Sequence, residues 1–309
     1  MQSLWMLFAA FLFSIMGVCV KLASDIYSTS EIVMYRNIVG VLFLTGVVVA
    51  RRGSLRTIHW KAHLWRGAVG VTALWMWFYA ISRLPIATGM TLNYMAPVWM
   101  AGILLVAGLR RRERALDWGL ALAIACSFAG VTLLLRPSFD AAQWFAGLVG
   151  LGSGFLSAFA YLAVRRLGQL GEPEYRVVFY FSLTGVLAGA AGTLFEGNGR
   201  AVLLVGSHGL RGILLLLAIG LTATIAQVAM TRAYRLGKAL VTANLQYSGI
   251  IFASIWGILL WDDVLGWTSW LGMAIILVSG SVATYYNTRG APPARPTVAK
   301  ANDPIATEV

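Results

Sequence analysis

Apolar residues in this chain come in ten long runs separated by short polar stretches. The runs cover approximately residues 3–22, 32–50, 65–82, 86–109, 116–135, 144–164, 177–195, 210–231, 239–261 and 267–287. At about 1.5 Å of rise per residue, helices of these lengths are near what a hydrocarbon core of roughly 30 Å requires. A helix satisfies its own backbone groups in lipid. The pattern therefore predicts an all-α integral membrane protein with ten transmembrane helices. Past residue 287 the chain becomes rich in Pro and Ala and loses its apolar runs, which predicts a disordered tail over 288–309.

Composition agrees with that reading. Of 309 residues, 59% are hydrophobic and 12% charged, against about 25% charged in a soluble domain. Mean hydropathy is +0.76. The net charge of +12 would suggest a nucleic-acid partner, but the bases fall between the apolar runs and instead test the topology. Ten spans place both termini on one side. The loops on that side (after runs two, four, six and eight) and the tail hold eighteen of the 24 Lys and Arg, Arg66 among them. The opposite loops hold five: Lys21, Arg83, Arg136, Arg200 and Arg211. By the positive-inside rule both termini are cytoplasmic, and no nucleic-acid partner is implied. Cys19 and Cys126 lie within apolar runs, as small packing residues do. The N-terminal run has no basic leader or A-x-A site, so it reads as a first span and not a cleaved signal.

The halves 3–135 and 144–287 echo each other. Arg83-Leu84 followed by Ala87 recurs as Arg235-Leu236 followed by Ala239, and Leu92-Asn93-Tyr94 recurs as Leu245-Gln246-Tyr247. Glu113 with Trp118 recurs as Asp262 with Trp267. Arg66-Gly67 opens run three as Arg211-Gly212 opens run eight. Each half holds five runs, so the second copy enters the membrane from the opposite side. Inverted repeats of this kind can exchange conformations and open a midplane site to one side and then the other.

Ala87, Leu92, Tyr94, Pro97, Glu113, Trp118 and Gly130 in the first half, and Ala239, Leu245, Tyr247, Asp262, Trp267 and Gly280 in the second, resemble the paired motifs of the EamA-type family of the drug/metabolite transporter superfamily. Tyr35-Arg36-Asn37 in run two matches as well. The resemblance spans about residues 3–287. It implies a carrier of small organic solutes, often outward across the bacterial inner membrane. The second half departs from the pattern at Ile250, which stands where the first half has Pro97.

Polar groups at membrane depth cost free energy unless they line a cavity or pack within protein. Asn93 and Tyr94 in run four, and Gln246 and Tyr247 in run nine, occupy matching places and are the first candidates for substrate binding. Pro97 and Gly249 beside them are candidate gate or hinge residues. Arg36 is the one base away from the ends of a run, about 7.5 Å beyond Glu31 along a helix; a guanidinium there either holds a structural partner or clamps a substrate carboxylate or phosphate. Trp75, Tyr79, Trp99 and Tyr161 offer an aromatic wall, with Trp77 also deep in run three, and Gln227 adds polarity to run eight. Trp residues at run ends read as interfacial anchors. The cores of the runs hold no carboxylate, so Glu31, at an edge, is the weak candidate for ion coupling.

Several chemistries are excluded. There is no GxxxxGK[ST] loop for ATP and no HExxH, and His59, His63 and His208 fall in predicted loops. No cofactor is implied. These residues together predict a secondary transporter of a small polar metabolite, an amino acid, amine or related solute, working as a monomer or homodimer in the lipid bilayer. A membrane enzyme acting on a lipid head group, or a passive channel, are the rival classes. The enzyme would need a catalytic set at an interface, where Glu113, Asp117, Asp262 and Asp263 stand without a histidine.

Overall fold

The computed structural model describes residues 4–110, 118–134, 141–196, 209–236, 242 and 245–289. Among these, the regular elements are all helices: α1 (Trp5–Ala23), α2 (Thr29–Ala50), α3 (Trp60–Arg83), α4 (Ile86–Asn93), α5 (Ala96–Arg110), α6 (Trp118–Leu134), α7 (Ala141–Gln169), α8 (Glu174–Phe195), α9 (Leu210–Leu236), α10 (Ser248–Trp261) and α11 (Trp267–Arg289). The predicted tail lies outside the described residues except for its first two, which extend α11. Glu113, Asp117, His208 and Ala239 also lie outside them.

Six segments are long and apolar enough to cross a membrane: α1, α2, α4 with α5, most of α7, α8 and α9. The described parts of α6, α10 and α11 are shorter apolar helices. The chain is thus a multi-pass membrane protein. α3 is long enough, at 24 residues, but Lys61, His63, Arg66 and Arg83 lower its hydropathy. Its start at Trp60 corrects two sequence assignments. His63 and Arg66 are not loop residues but belong to the first two turns of α3, and both are buried.

Local chemistry explains several helix ends. At the start of α2, Ser28 and Glu31 form a reciprocal capping box. The Ser28 amide donates to Glu31 Oε2 (2.7 Å) and the Glu31 amide donates to Ser28 Oγ (3.3 Å), which satisfies two backbone donors left free at a helix N-terminus. The α7–α8 turn passes through Gly171 at φ +82°, a left-handed conformation that costs glycine no Cβ clash. α10 ends at Asp262 with φ 50°, where a short polar side chain tolerates the left-handed region better than most.

Packing pairs helices across the two halves of the chain. α3 lies chiefly on α7, α1 on α9, α2 on α8, and α6 on α11. Small residues permit the closest crossings. A methyl group at Gly189 would meet the Met34 backbone at 2.7 Å, and one at Gly130 the Gly272 carbonyl at 2.9 Å. Ser127 and Ser279 share a buried hydrogen bond of 2.8 Å between α6 and α11.

Span four is broken. Asn93 ends α4, Tyr94 and Met95 form a turn, and Ala96 opens α5. Pro97 has no N–H, so it cannot donate to the Asn93 carbonyl as a continuous helix would require. The corresponding turn in the second half falls at Tyr247, which keeps right-handed helical dihedrals (φ −65°, ψ −18°). There the Ile250 amide donates to the Tyr247 carbonyl (3.0 Å), a bond for which Pro97 has no N–H.

Candidate functional site

The break in span four opens onto a small buried cavity of about 50 Å³. Phe13 of α1, Arg66, Gly70, Leu74 and Trp77 of α3, and Asn93 and Tyr94 line it from the first half. Ser157, Ala160 and Tyr161 of α7, Phe181 of α8, and Gln227 and Met230 of α9 line it from the second. Larger hollows lie elsewhere, one of about 610 Å³ near Trp60, Trp65 and Arg166 and one of about 500 Å³ along α6 and α11. Those are grooves between partly exposed side chains. Of these hollows, among the described residues, the small cavity is the one that gathers buried polar groups from both halves.

Each wall is fixed by local structure. Asn93 Nδ2 donates to Ser153 Oγ (3.1 Å) and Ser157 Oγ (3.2 Å) on α7. α7 comes this close because Gly154 faces the break; a methyl there would meet the Leu92 carbonyl oxygen at 2.6 Å and the Asn93 oxygen at 3.1 Å. Tyr161 stacks on Tyr234 (ring centroids 5.4 Å apart, 26° between planes). Gln246 ties the two rings together. Tyr234 Oη donates to Gln246 Oε1 (2.8 Å), and Gln246 Nε2 donates to Tyr161 Oη (3.3 Å).

The structure therefore brings Asn93, Tyr94, Tyr161 and Gln227 to the cavity and places Gln246 one layer behind it. Arg36 is buried, 3% exposed, and is not among the lining residues; its guanidinium carbon lies 5.4 Å from the ring centroid of Phe181, which does line the cavity. Its Nη1 donates to Asn37 Oδ1 (2.8 Å), and Asn37 Nδ2 donates to the Val33 carbonyl (2.7 Å).

The other candidates lie elsewhere. Tyr247 is turned to α11, where its ring occupies the space a side chain at Gly280 would need. Trp75 packs on Gly192 of α8. Tyr79 meets Phe145 edge-on at 6.0 Å, and Trp99 packs edge-on to Phe128 (4.8 Å) and Phe155 (5.1 Å). Gly249 receives the Tyr94 ring, since a methyl there would lie 2.6 Å from the Tyr94 hydroxyl. Glu31 is engaged in the α2 capping box.

Trp77, one of the deep tryptophans of run three, lines the cavity, and Arg66 is the principal lining residue that the hydropathy runs do not single out. The runs place Arg66 at a loop edge. Six residues into a helix that begins at Trp60, it lies about 9 Å along the axis. One signal in the sequence does bear on it. Gly70, one turn later on the same face, leaves room for the guanidinium, and a methyl there would collide with Arg66 Nη1.

Polar side chains also tie the helices at each end of the bundle. At one end, Glu172 in the α7–α8 turn accepts from Thr57 Oγ1 (2.5 Å) and Arg176 Nη1 (3.0 Å) and lies 3.4 Å from His63 Nε2. Burial alone would raise the Glu172 pKa, but hydrogen bonds from His63, Thr57 and Arg176 outweigh it and hold the carboxyl at about 2. Arg176 Nη2 also donates to the Ser54 carbonyl (2.7 Å), and Tyr180 Oη to the Leu55 carbonyl (2.9 Å). At the other end, Lys21 Nζ donates to the Leu84 carbonyl (3.2 Å) and lies 4.7 Å from the Trp261 ring centroid.

Apolar helices around a buried polar cavity at a helix break are the layout of a membrane transport protein. Comparison with known proteins supplies the family. The EamA-like transporter family matches residues 1–136. The chain is 30% identical over 285 residues to the pseudopaline exporter CntI of Pseudomonas aeruginosa, covering 88% of this chain and 91% of that one. It is 30% identical to an uncharacterized transporter of Helicobacter pylori (89% and 91% covered) and 27% identical to a riboflavin transporter of Vibrio cholerae (93% and 94%). A solved crystal structure at 17% identity superposes with a TM-score of 0.64, covering 93% of this chain and 98% of that one; the fold is shared. The chain belongs to the EamA-like transporter family, a family of transporters and not of enzymes.

Proposed function

We propose that this protein is a secondary transporter that exports a small polar organic solute across the bacterial inner membrane by alternating access. Ten spans form two inverted five-span halves, residues 3–135 and 144–287, with both termini cytoplasmic. The substrate site is the cavity at the break in span four. The observation that carries the reading is the composition of that cavity. Buried polar side chains from both halves meet at a helix break, the arrangement through which repeat-built carriers bind at the midplane.

The packing supports the inverted repeat. Run one lies on run eight as run six lies on run three, while runs two and seven, and five and ten, pair with their own counterparts. Exchanging the two halves leaves this set of neighbours unchanged. The predicted sidedness is supported too. Ser54, Glu172 and Arg176, all assigned to the cytoplasmic side, are joined through Arg176, whereas Lys21, Leu84 and Trp261, all assigned to the opposite side, meet at the other end. Two named relatives carry different solutes by name, pseudopaline and riboflavin. Both names support transport, the first alone supports export, and the substrate is left to be found.

The test is a thermal-shift screen of the purified protein against a metabolite library, followed by counterflow in proteoliposomes with each stabilising compound. Saturable exchange supports the carrier, and flux that never saturates would identify a channel.

A further inference from the structure

Among the described residues, the cavity carries positive charge with no acidic partner for it. Arg66 is 3% exposed, and its Nε and Nη1 have no hydrogen-bond partner. Arg36 is equally buried, and its Nε also lacks one. Both guanidinium carbons lie within cation–π distance of one ring, Phe181, at 4.3 Å for Arg66 and 5.4 Å for Arg36. Among the described residues, the ion pairs join other groups, Glu172 with His63 and Arg176, and Glu174 with Arg235. A buried charge without a counterion is strongly unfavourable, and a second like charge at the same ring adds to the cost. An aromatic face offsets only a small part of it.

The other polar atoms without partners at this cavity repeat the bias. Trp77 Nε1 and Tyr94 Oη are donors left over, and Gln227 Oε1 is a lone acceptor. The cavity offers donors and positive charge in excess, with one place for a donor from the ligand. About 50 Å³ holds only the head group of a solute. A carboxylate matches this set: it is planar, accepts paired hydrogen bonds from a guanidinium, and can carry a neighbouring hydroxyl or amine to reach Gln227. We propose that the substrates of this transporter are hydroxy- or amino-carboxylates whose carboxylate docks on Arg66. Trp77 and Tyr94 donate to it, Gln227 accepts from the adjacent group, and Arg36 adds a second positive charge beside Phe181. This rests on the transport reading and specifies its substrate class.

The test uses the full-length purified protein and a panel of hydroxy- and amino-carboxylates, each paired with its neutral amide, with inorganic phosphate and chloride as further probes at constant ionic strength. Several carboxylates should raise the melting temperature with at least tenfold tighter apparent affinity than their amides. Arg66→Gln should abolish that difference, and Arg36→Gln should reduce it severalfold. Without ligand, Arg66→Gln should melt at the same temperature as the parent or higher, because the variant removes an unpaired charge. A clear fall in ligand-free melting temperature would make Arg66 structural and overturn the proposal. So would a panel in which no carboxylate stabilises, in which amides match their acids, or in which the preference survives Arg66→Gln. Stabilisation by phosphate alone would replace the carboxylate class. Counterflow separates the two readings. Carboxylate binding without exchange would sink transport and leave the anion site, whereas exchange of a neutral solute without carboxylate binding would sink the anion site and leave transport.

Discussion

Tyr161 reaches the cavity as the last member of a chain that begins outside it. Tyr234 donates to Gln246, and Gln246 donates to Tyr161. Gln246→Met keeps the volume and removes both bonds, leaving two tyrosine hydroxyls in a buried site. The expected cost is about 1–3 kcal/mol, measured by thermal or denaturant unfolding in detergent. Tyr161→Phe should cost less, because its bond is the longer one. A second residue test concerns Gly70. The Gly70→Ala methyl collides with the Arg66 guanidinium, so it should weaken carboxylate binding about tenfold or more while the fold survives. Unchanged binding would show that Arg66 works from another position. At this scale the sequence was partly legible. Asn93 and Gln246 stand out as polar residues at matching places, and both prove to be buried hydrogen-bonding groups. Arg66 did not stand out, because a hydropathy window cannot tell a base at a span's mouth from one folded back along its own helix onto a glycine. Trp75 and Trp77 look alike in sequence, and only the rotation of α3 decides which of them meets the cavity.

At the scale of elements, two devices set the geometry. The first is the broken span four pressed on α7 at Gly154. Gly154→Leu would push α7 off the Leu92 and Asn93 carbonyls and separate Asn93 from Ser153 and Ser157. Overpacking of this kind costs about 1–3 kcal/mol, and counterflow should fall with it. The second is the tie between the α2–α3 loop and the α7–α8 turn. Glu172, held at about 2 against an ordinary 4.5, binds fewer protons in the folded protein than when unfolded. Its contribution is therefore complete above the ordinary carboxylate range and is lost as pH falls from about 4.5 toward 2. Glu172→Gln should lower stability at pH 7 and flatten the acid side of the stability profile; a variant with the parent's acid profile would show that Glu172 contributes little. The apolar runs were legible because a helix that crosses lipid must be an apolar block, and six described segments are long and apolar enough to do so. This tie was not, since it depends on which loops come together once the helices pack.

For the whole molecule, the question is what drives transport. The described spans place no carboxylate beside the two buried arginines, and Glu31 is committed to capping α2. A proton-coupled carrier ordinarily keeps an acid near its site. Given a monoanionic substrate, the loaded site carries one positive charge fewer than the empty one, so each export cycle moves one negative charge outward. In a cell with a negative interior this gains about 2.3 kcal/mol per 100 mV, enough for a gradient of roughly 50-fold. Export then needs no proton gradient, and the absence of an acid at the site becomes part of the mechanism. The measurement uses proteoliposomes loaded with a stabilising hydroxy-carboxylate, a monoanion where an amino-carboxylate is a net-neutral zwitterion, and clamped by potassium and valinomycin. Efflux should accelerate when the interior is negative, slow when it is positive, and ignore an imposed pH gradient. Arg66→Gln should lose binding and, with it, the voltage-driven efflux. If a pH gradient drives efflux while the potential does not, the charge of the substrate is not what powers the cycle, and an acid outside the described spans must couple it to protons.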